Sequence, residues 1–167
     1  MIRIGIDPGK NGYICAYEET DTGSWFVHYP TPLINTGVDM HLFRAIINGF
    51  TRDYDVHCVI EDVHAIFGSS AKSTFNFGWI VGLTEGIVSS AGIPYTKVTP
   101  KEWQKEMWQG IPLQKKPNGR TDTKAMSLLA AKRLFPNEDL TATERSVKPH
   151  DGKVDALLLA EYCRRKF

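Results

Sequence analysis

Short runs of apolar residues, broken by turn-forming residues, mark the opening third of the chain. Met1–Ile6, Tyr13–Tyr17 and Trp25–Tyr29 are rich in β-branched and aromatic residues, which favour strands. The segment DPGKNG after the first run and Asp21–Gly23 between the other two contain the residues that tight turns require. The pattern therefore predicts three strands joined as an antiparallel meander.

The remainder of the chain alternates between helical and strand-like patterns. Val38–Arg52 repeats its apolar residues at helical intervals, whereas Val56–Ile60 is a continuous apolar run, typical of a strand covered on both faces. Further helices are expected at about 72–91, at 100–107, from 121 and from 151, with one more strand at 95–98. This order predicts an α/β fold whose five-stranded mixed sheet, with three antiparallel and two parallel strands, is flanked by helices.

The composition favours one globular domain over residues 1–167. With 42% hydrophobic residues, the chain is long enough to bury a sizeable core. The net charge of +1 does not by itself predict nucleic-acid binding. A chain that gathers acids at a site and bases on its rim can still bind a nucleic acid. No basic and apolar leader precedes Asp7, and the apolar segment Phe75–Ala91 contains Glu85. We therefore expect a cytoplasmic domain and no membrane partner.

The three cysteines, Cys15, Cys58 and Cys163, are isolated along the chain. Disulfide frameworks and cysteine-rich zinc sites need paired spacings, which are missing here. We expect buried free thiols in a reducing compartment.

Acidic residues end or interrupt apolar segments at three separated places. Asp7 ends the first strand and Glu61 follows Val56–Ile60, while Asp151 and Asp155 lie four residues apart at the head of the last helix. Ligands gather beyond the carboxyl ends of parallel strands, so these acids are expected to meet. Alternatively, Asp7 is a turn residue, Glu61 is a solvent-facing strand end, and Asp151 caps the helix or complements its dipole. Asp155 is harder to explain in that way, because apolar residues surround it.

A gathered set of carboxylates predicts a site for hard divalent cations. Like charges within a few ångströms repel one another, and a cation makes them compatible. Two Mg²⁺ ions about 3.5–4 Å apart would activate a water and stabilise the leaving oxygen of a phosphodiester. Mg²⁺ suits all-oxygen ligands better than Zn²⁺ does. His150, next to Asp151, is either a base or phosphate contact at this site or an ordinary surface histidine.

Basic and aromatic residues flank the acids in a way that fits a polyanion. A Pro-Asn-Gly loop is surrounded by basic residues, which form either a phosphate-binding rim or a solvated charged loop. Phe67 lies on the loop after Glu61, where an aromatic ring would stack on or wedge between bases. The basic residues of the predicted DNA-binding surface are Lys72, Lys115, Lys116, Arg120 and Lys124.

Gly78, Gly82 and Gly86 lie at four-residue intervals in the helix expected at 72–91. Each destabilises that helix by about 1 kcal/mol relative to alanine. Their shared face indicates a close backbone approach, either to the sheet or to a second copy of the helix. The second alternative predicts a homodimer.

The order of these motifs resembles the RuvC family of Holliday junction resolvases. The motifs that carry the resemblance are, in chain order, IGIDPG, VIEDV, GIPYTKVTPKEWQK and HDGKVDALLLA, which together span nearly the whole chain. The short length and the HDGKVDA variant are most similar to phage-type or organellar relatives. The resemblance implies a ribonuclease H-like fold, a homodimer, and Mg²⁺- or Mn²⁺-dependent symmetrical nicking of four-way junctions. It also favours a bacterial or phage-infected cell over an organelle.

The resemblance assigns individual site residues. The positions that match the family's metal carboxylates are Asp7, Glu61 and Asp155. Asp151 is the expected fourth carboxylate, with His150 as its substitute. The bacterial branch spaces its last two acids by three residues, and that position is Gly152 here.

Basic and aromatic positions are carried over in the same way. Lys101 and Lys124 match positions that serve phosphate binding and catalysis in relatives. His64 occupies the position of the family's junction-wedging aromatic residue, so Phe67 is the expected substitute for the wedge.

Three other functions compete with junction resolution. A related ribonuclease H-like nuclease would act on flaps, other branched DNA or RNA–DNA hybrids. A non-catalytic junction-binding module would not need the acids, because negative charge near phosphate weakens DNA binding. An actin-like or sugar-kinase ATPase shares the IGIDPG motif, but 167 residues leave no room for its second lobe.

Overall fold

The computed structural model describes residues 1–35, 37–52, 55–63, 68 and 70–167. The strands are β1 (Ile2–Asp7), β2 (Tyr13–Thr20), β3 (Gly23–Pro30), β4 (Leu33–Ile34), β5 (Gly37–Val38), β6 (Val56–Glu61) and β7 (Tyr95–Val98). The helices are α1 (Met40–Gly49), α2 (Ala71–Ser90), α3 (Pro100–Met107), α4 (Thr123–Leu134) and α5 (Asp151–Lys166). His64 and Phe67, the two candidates for the junction wedge, lie outside the described residues.

The main sheet has five strands in the order β3-β2-β1-β6-β7. β1 pairs antiparallel with β2, and β2 pairs antiparallel with β3, which confirms the predicted meander. β6 pairs parallel with β1 and with β7, which confirms the mixed sheet. The short ribbon of β4 and β5 was not predicted, because two residues per strand give no periodic signal.

Side-chain alternation divides the core into two layers, one on each face of the sheet. Ile4 and Ile6 of β1 face α1 and α2, where they pack with Phe43 and Ile47. The opposite face packs against α3, α4 and α5, and its cluster includes Val59 of β6. Helices on both faces explain why Val56–Ile60 reads as a continuous apolar run.

α5 lies unusually close to the centre of the sheet. A β-carbon on Gly5 would lie 2.2 Å from the Ala160 backbone nitrogen, so only glycine permits this approach of β1 to α5. The contact fixes the position of α5 along the strand. As a result, the N-terminal turns of α5 lie beside the carboxyl end of β1.

Several helix boundaries are set by capping side chains. Asp39 accepts a hydrogen bond from the Leu42 backbone nitrogen at 3.0 Å, so α1 begins at Met40 and not at Val38 as predicted. Asp122 likewise caps α4 through the Ala125 nitrogen at 3.2 Å, which places the helix start at Thr123.

The glycine face of α2 is open to solvent. A β-carbon at Gly78, Gly82 or Gly86 would meet no atom of the described residues within 4 Å. Of the two alternatives for these glycines, close approach to the sheet is therefore excluded, because α2 turns this face away from the core. Phe75 and Trp79, on the same helix, are 74% and 47% exposed.

Two further expectations concern cysteines and membranes. Cys15, Cys58 and Cys163 are buried and free, as predicted. Among the described residues, no helix combines the length and the apolar character needed to span a membrane.

Candidate active site

Four predicted acids gather at the carboxyl edge of the parallel strands. Asp7 ends β1 and Glu61 ends β6, and the parallel register of these strands brings both to one edge. Asp151 and Asp155 occupy the first and second turns of α5, which packs on β1. The structure therefore brings together four acids that are separated by up to 148 positions in the chain.

Burial and repulsion by neighbouring acids disfavour the charged forms of Asp7 and Asp155. The pKa of Asp7 is raised well above its usual value, first by burial and then by the charges of Glu61, Asp155 and Asp151. The pKa of Asp155 is raised to about 7, mainly by burial and by Glu61. A carboxylate cluster of this kind needs a cation, a proton or a hydrogen-bond donor to offset its charge.

Donors from neighbouring helices offset part of that charge. The buried Ser127 of α4 hydrogen-bonds to Asp155 and lowers its pKa. The indole Nε1 of Trp103 on α3 donates to Glu61 Oε1 at 2.8 Å, which opposes the rise in the pKa of Glu61 caused by burial. Neither residue was recognised from the sequence.

Asp151 differs from the other three acids because it is exposed. Its carboxylate forms an ion pair with Lys124 Nζ, and the two side chains are 53% and 68% exposed. Such an exposed pair contributes little stability. His150, and not Asp151, is the N-cap residue of α5, so Asp151 does not cap the helix. Asp151 lies in the first turn, where its charge complements the helix dipole.

His150 lies at the wall of the site and not on the open surface. Its ring packs against Tyr13 with the centroids 4.9 Å apart, and its Nδ1 is buried without a hydrogen-bond partner among the described residues. The His150 backbone nitrogen donates to the Leu140 carbonyl at 2.8 Å, which holds the segment before α5 in place.

The donor set is suited to a hard divalent cation. The candidate ligands are carboxylates, they repel one another, and no cysteine lies among them. Within the described ranges, no three His, Cys, Asp or Glu side chains are already close enough to hold a metal ion. Binding of a cation would therefore require at least one of these carboxylates to move closer to the others.

The comparisons with known proteins place this site in a familiar fold. No protein-family model matches the chain, and no curated protein matches it in sequence. RuvC from Thermus thermophilus superimposes with a TM-score of 0.57 at 17% identity, covering 99% of this chain and 96% of that one. T. thermophilus RuvC in complex with a Holliday junction substrate gives a TM-score of 0.58 at 14% identity, covering 99% and 97%. This chain has the ribonuclease H-like fold of RuvC.

A third similar structure is that of an organellar protein. The yeast mitochondrial Holliday junction resolvase Ydc2 gives a TM-score of 0.55 at 11% identity, covering 98% of this chain and 83% of that one. The resemblance to RuvC that the motifs indicated is confirmed for the fold. At 11–17% identity, the roles of individual residues rest on the site geometry of this chain.

Two adjoining clefts open at the acids of this RuvC-like fold. One, of about 520 Å³, is lined by Asp7, Asp155 and the turn between β1 and β2. The other, of about 380 Å³, lies between α4 and the head of α5. Both clefts include Lys124, Asp151 and Asp155, so phosphate groups in either one would lie beside the acids.

The predicted basic rim is only partly at the clefts. Lys116 and Lys124 line them, together with Lys148 and Lys10. Of these four lysines, Lys10 was not predicted from the sequence. The loop that carries Lys116 is an ordered turn, in which the Lys116 nitrogen donates to the Arg120 carbonyl at 2.8 Å. The predicted basic residues that are exposed but line neither cleft are Lys72, Lys101, Lys115 and Arg120.

Proposed function

We propose that this protein is a metal-dependent endonuclease that resolves four-way DNA junctions by paired, symmetrical nicks. One observation carries the proposal: three carboxylates with raised pKa values, the buried Glu61 and the half-buried Asp7 and Asp155, lie at the edge of a RuvC-like sheet beside lysine-lined clefts. Buried negative charge beside a phosphate-binding surface weakens simple binding, so a catalytic use accounts for it better.

The proposed cofactor is a pair of Mg²⁺ ions, for which Mn²⁺ could substitute. Asp7, Glu61 and Asp155 would hold them, with Asp151 as the fourth ligand. When bound, such ions supply an activated water and offset the charge on the leaving 3′ oxygen. His150 is the alternative fourth residue, since its buried Nδ1 has no hydrogen-bond partner in the described part of the chain.

The basic side chains would position the DNA backbone. Lys124 lines both clefts and Lys116 lines one, and each would contact a phosphate near the scissile bond. Once a cation or a phosphate competes for Asp151 and Lys124, their exposed ion pair would open at little cost. Affinity for the junction should fall steeply with salt concentration.

Paired nicks require two sites related by a twofold axis, so the proposal includes a homodimer. The exposed face of α2 supports it, because Gly78, Gly82 and Gly86 offer close backbone approach and Phe75 and Trp79 offer apolar area. Among the similar structures, one is described as RuvC in complex with a Holliday junction substrate, which supports the choice of substrate.

The experiment that tests the proposal compares DNA substrates under defined metal conditions. A labelled, immobile four-way junction is incubated beside matched duplex, flap and RNA–DNA hybrid substrates, with Mg²⁺, with Mn²⁺ and with EDTA. Symmetrical paired nicks that need metal and are selective for the junction are the expected result. Tight junction binding without cutting in either metal would favour a binding module. A preference for the flap or the hybrid would reassign the substrate.

A further inference from the structure

Trp103 is fully buried, and the only polar atom of its side chain, Nε1, contacts the candidate site. It lies in the first turn of α3, where a capping box between Thr99 and Glu102 fixes the start of the helix. Its Nε1 donates to Glu61 Oε1 at 2.8 Å. Among the described residues, this is the one hydrogen bond that the Glu61 side chain forms.

The hydrogen bond restricts a side chain that would otherwise have considerable freedom. A glutamate has three rotatable bonds, and fixing it costs conformational entropy. The rigid indole, held by the core on α3, confines one carboxylate oxygen of Glu61 at the end of β6. Hydrogen bonds to metal-ligating groups orient them in the same way in established metal sites.

We propose that Trp103 is a positioning residue for Glu61: its indole N–H fixes the carboxylate in the orientation that binds the divalent cation. This inference rests on the proposed function, because it assumes that Glu61 is a metal ligand. Trp103 itself contacts neither metal nor DNA. Its contribution is therefore expected in metal affinity, with catalysis affected through metal occupancy.

The chain contains a matched control for the loss of one indole N–H. Trp108 is the C-cap residue of the same helix, and its Nε1 is buried without a hydrogen-bond partner among the described residues. Trp103→Phe and Trp108→Phe make the same chemical change, but only the first removes a donor to Glu61. Calorimetric titration of the full chain with Mg²⁺ should show affinity reduced by about 10–100-fold in Trp103→Phe. Trp108→Phe should bind as the wild type does.

Two additional measurements distinguish positioning from general damage. Junction cleavage by Trp103→Phe should recover when the Mg²⁺ concentration is raised in proportion to the lost affinity, whereas cleavage by a misfolded protein would not. In the wild type, the Trp103 indole N–H resonance should shift during Mg²⁺ titration. That resonance can be assigned by elimination, through single replacements of Trp25, Trp79 and Trp108, so the measurement does not depend on how well Trp103→Phe folds.

The outcomes separate this inference from the proposed function. If the wild type binds Mg²⁺ and cuts junctions, but Trp103→Phe binds Mg²⁺ equally well and the Trp103 resonance does not shift, the positioning role is overturned and the nuclease stands. If the wild type binds neither Mg²⁺ nor Mn²⁺, the metal site and the positioning role both fail. Weaker binding in Trp103→Phe, with rescue by added Mg²⁺ and a shifted resonance, is the result expected from positioning.

Discussion

The backbone of Gly152 packs against the carboxylate of Asp7. A β-carbon at Gly152 would lie 3.0 Å from Asp7 Oδ2 and 2.4 Å from the Asn11 carbonyl oxygen. The second distance is too short for any real contact, so α5 approaches the turn after β1 only because residue 152 has no side chain. This explains why an acid three residues before Asp155 has no room here, and why Asp151 is the carboxylate available at the head of the helix.

Gly152→Ala should therefore destabilise the protein and disturb Asp7. The added methyl group meets backbone, which cannot move aside as a flexible side chain can, so we expect a loss of about 1–3 kcal/mol in the free energy of unfolding. Urea denaturation measures this loss. Gly49→Ala is the matched control: its β-carbon would meet no described atom within 4 Å, so the change should be neutral or mildly stabilising. Equal stability of Gly152→Ala and wild type would contradict the packing argument.

The strands and helices of the main fold were predictable because they carry strong periodic signals. The strand at Tyr95–Val98 was predicted at its observed bounds, and Pro100 marked the start of α3 correctly. The ribbon of β4 and β5 was missed because its strands are too short to show alternation. The sequence also did not show that the α2 glycines face solvent, because their spacing would be the same if they faced the sheet.

The site was predictable where an acid interrupts apolar sequence, and not where a partner comes from another helix. Asp7 and Glu61 end apolar strands, so their desolvation was visible in the sequence. Trp103 reads as an ordinary core residue of an amphipathic helix. Its hydrogen bond to Glu61 depends on how closely α3 approaches the end of β6. The two residues are 42 positions apart in the chain, so their contact is not visible in the local sequence. Ser127 was not predicted for the same reason, because its contact with Asp155 joins two different helices.

The pKa of Asp155 leads to a prediction about stability and pH without metal. Its folded pKa of about 7 lies above the usual 3.8, so its contribution to stability is fully present below about pH 4 and is lost as pH rises to about 7. Since one pKa unit corresponds to about 1.4 kcal/mol, the loss approaches about 4 kcal/mol. Asp155→Asn does not ionise, so it should gain stability relative to wild type between about pH 5 and about pH 8.

Urea denaturation in EDTA at these two pH values measures that difference. Asp139→Asn is the control: the hydrogen bonds that Asp139 accepts from Thr141 hold its pKa below the usual value, so its titration ends below this range. Its stability relative to wild type should be the same at both values. A constant difference between Asp155→Asn and wild type would show that Asp155 does not titrate in this range.

The same substitution should separate cutting from binding. Asp155→Asn removes one charged ligand from the proposed metal site, so junction cleavage should fall by about a hundredfold or more. Junction binding should persist or tighten, because the change removes negative charge beside the clefts. Gel-shift titration and cleavage of the same labelled junction report both effects. Cleavage at the wild-type rate would refute the assignment of Asp155 to the metal site.

Lys124→Ala tests the basic part of the clefts. The Asp151 hydrogen bond raises the pKa of Lys124, so its ammonium is charged at neutral pH and available to phosphate. Its loss should lower junction affinity and reduce the slope of log K against log salt concentration by about one. Lys132→Ala is the control, because Lys132 is an exposed lysine of the same helix that lines neither cleft. Equal slopes for the two variants would place the phosphate contacts elsewhere.

The glycine face of α2 predicts how the chain associates. Gly82→Arg adds a large charged side chain where no described atom lies within 4 Å, so the protomer should fold normally while self-association through this face is blocked. Sedimentation velocity at micromolar concentration should show a dimer for the wild type and a monomer for Gly82→Arg. Gly49→Arg, at a position of α1 where a β-carbon likewise meets no described atom within 4 Å, should remain dimeric. Because paired nicking needs two linked sites, Gly82→Arg should also lose coordinated cutting of the two strands. A wild type that sediments as a monomer and still makes paired nicks would rule out the dimer.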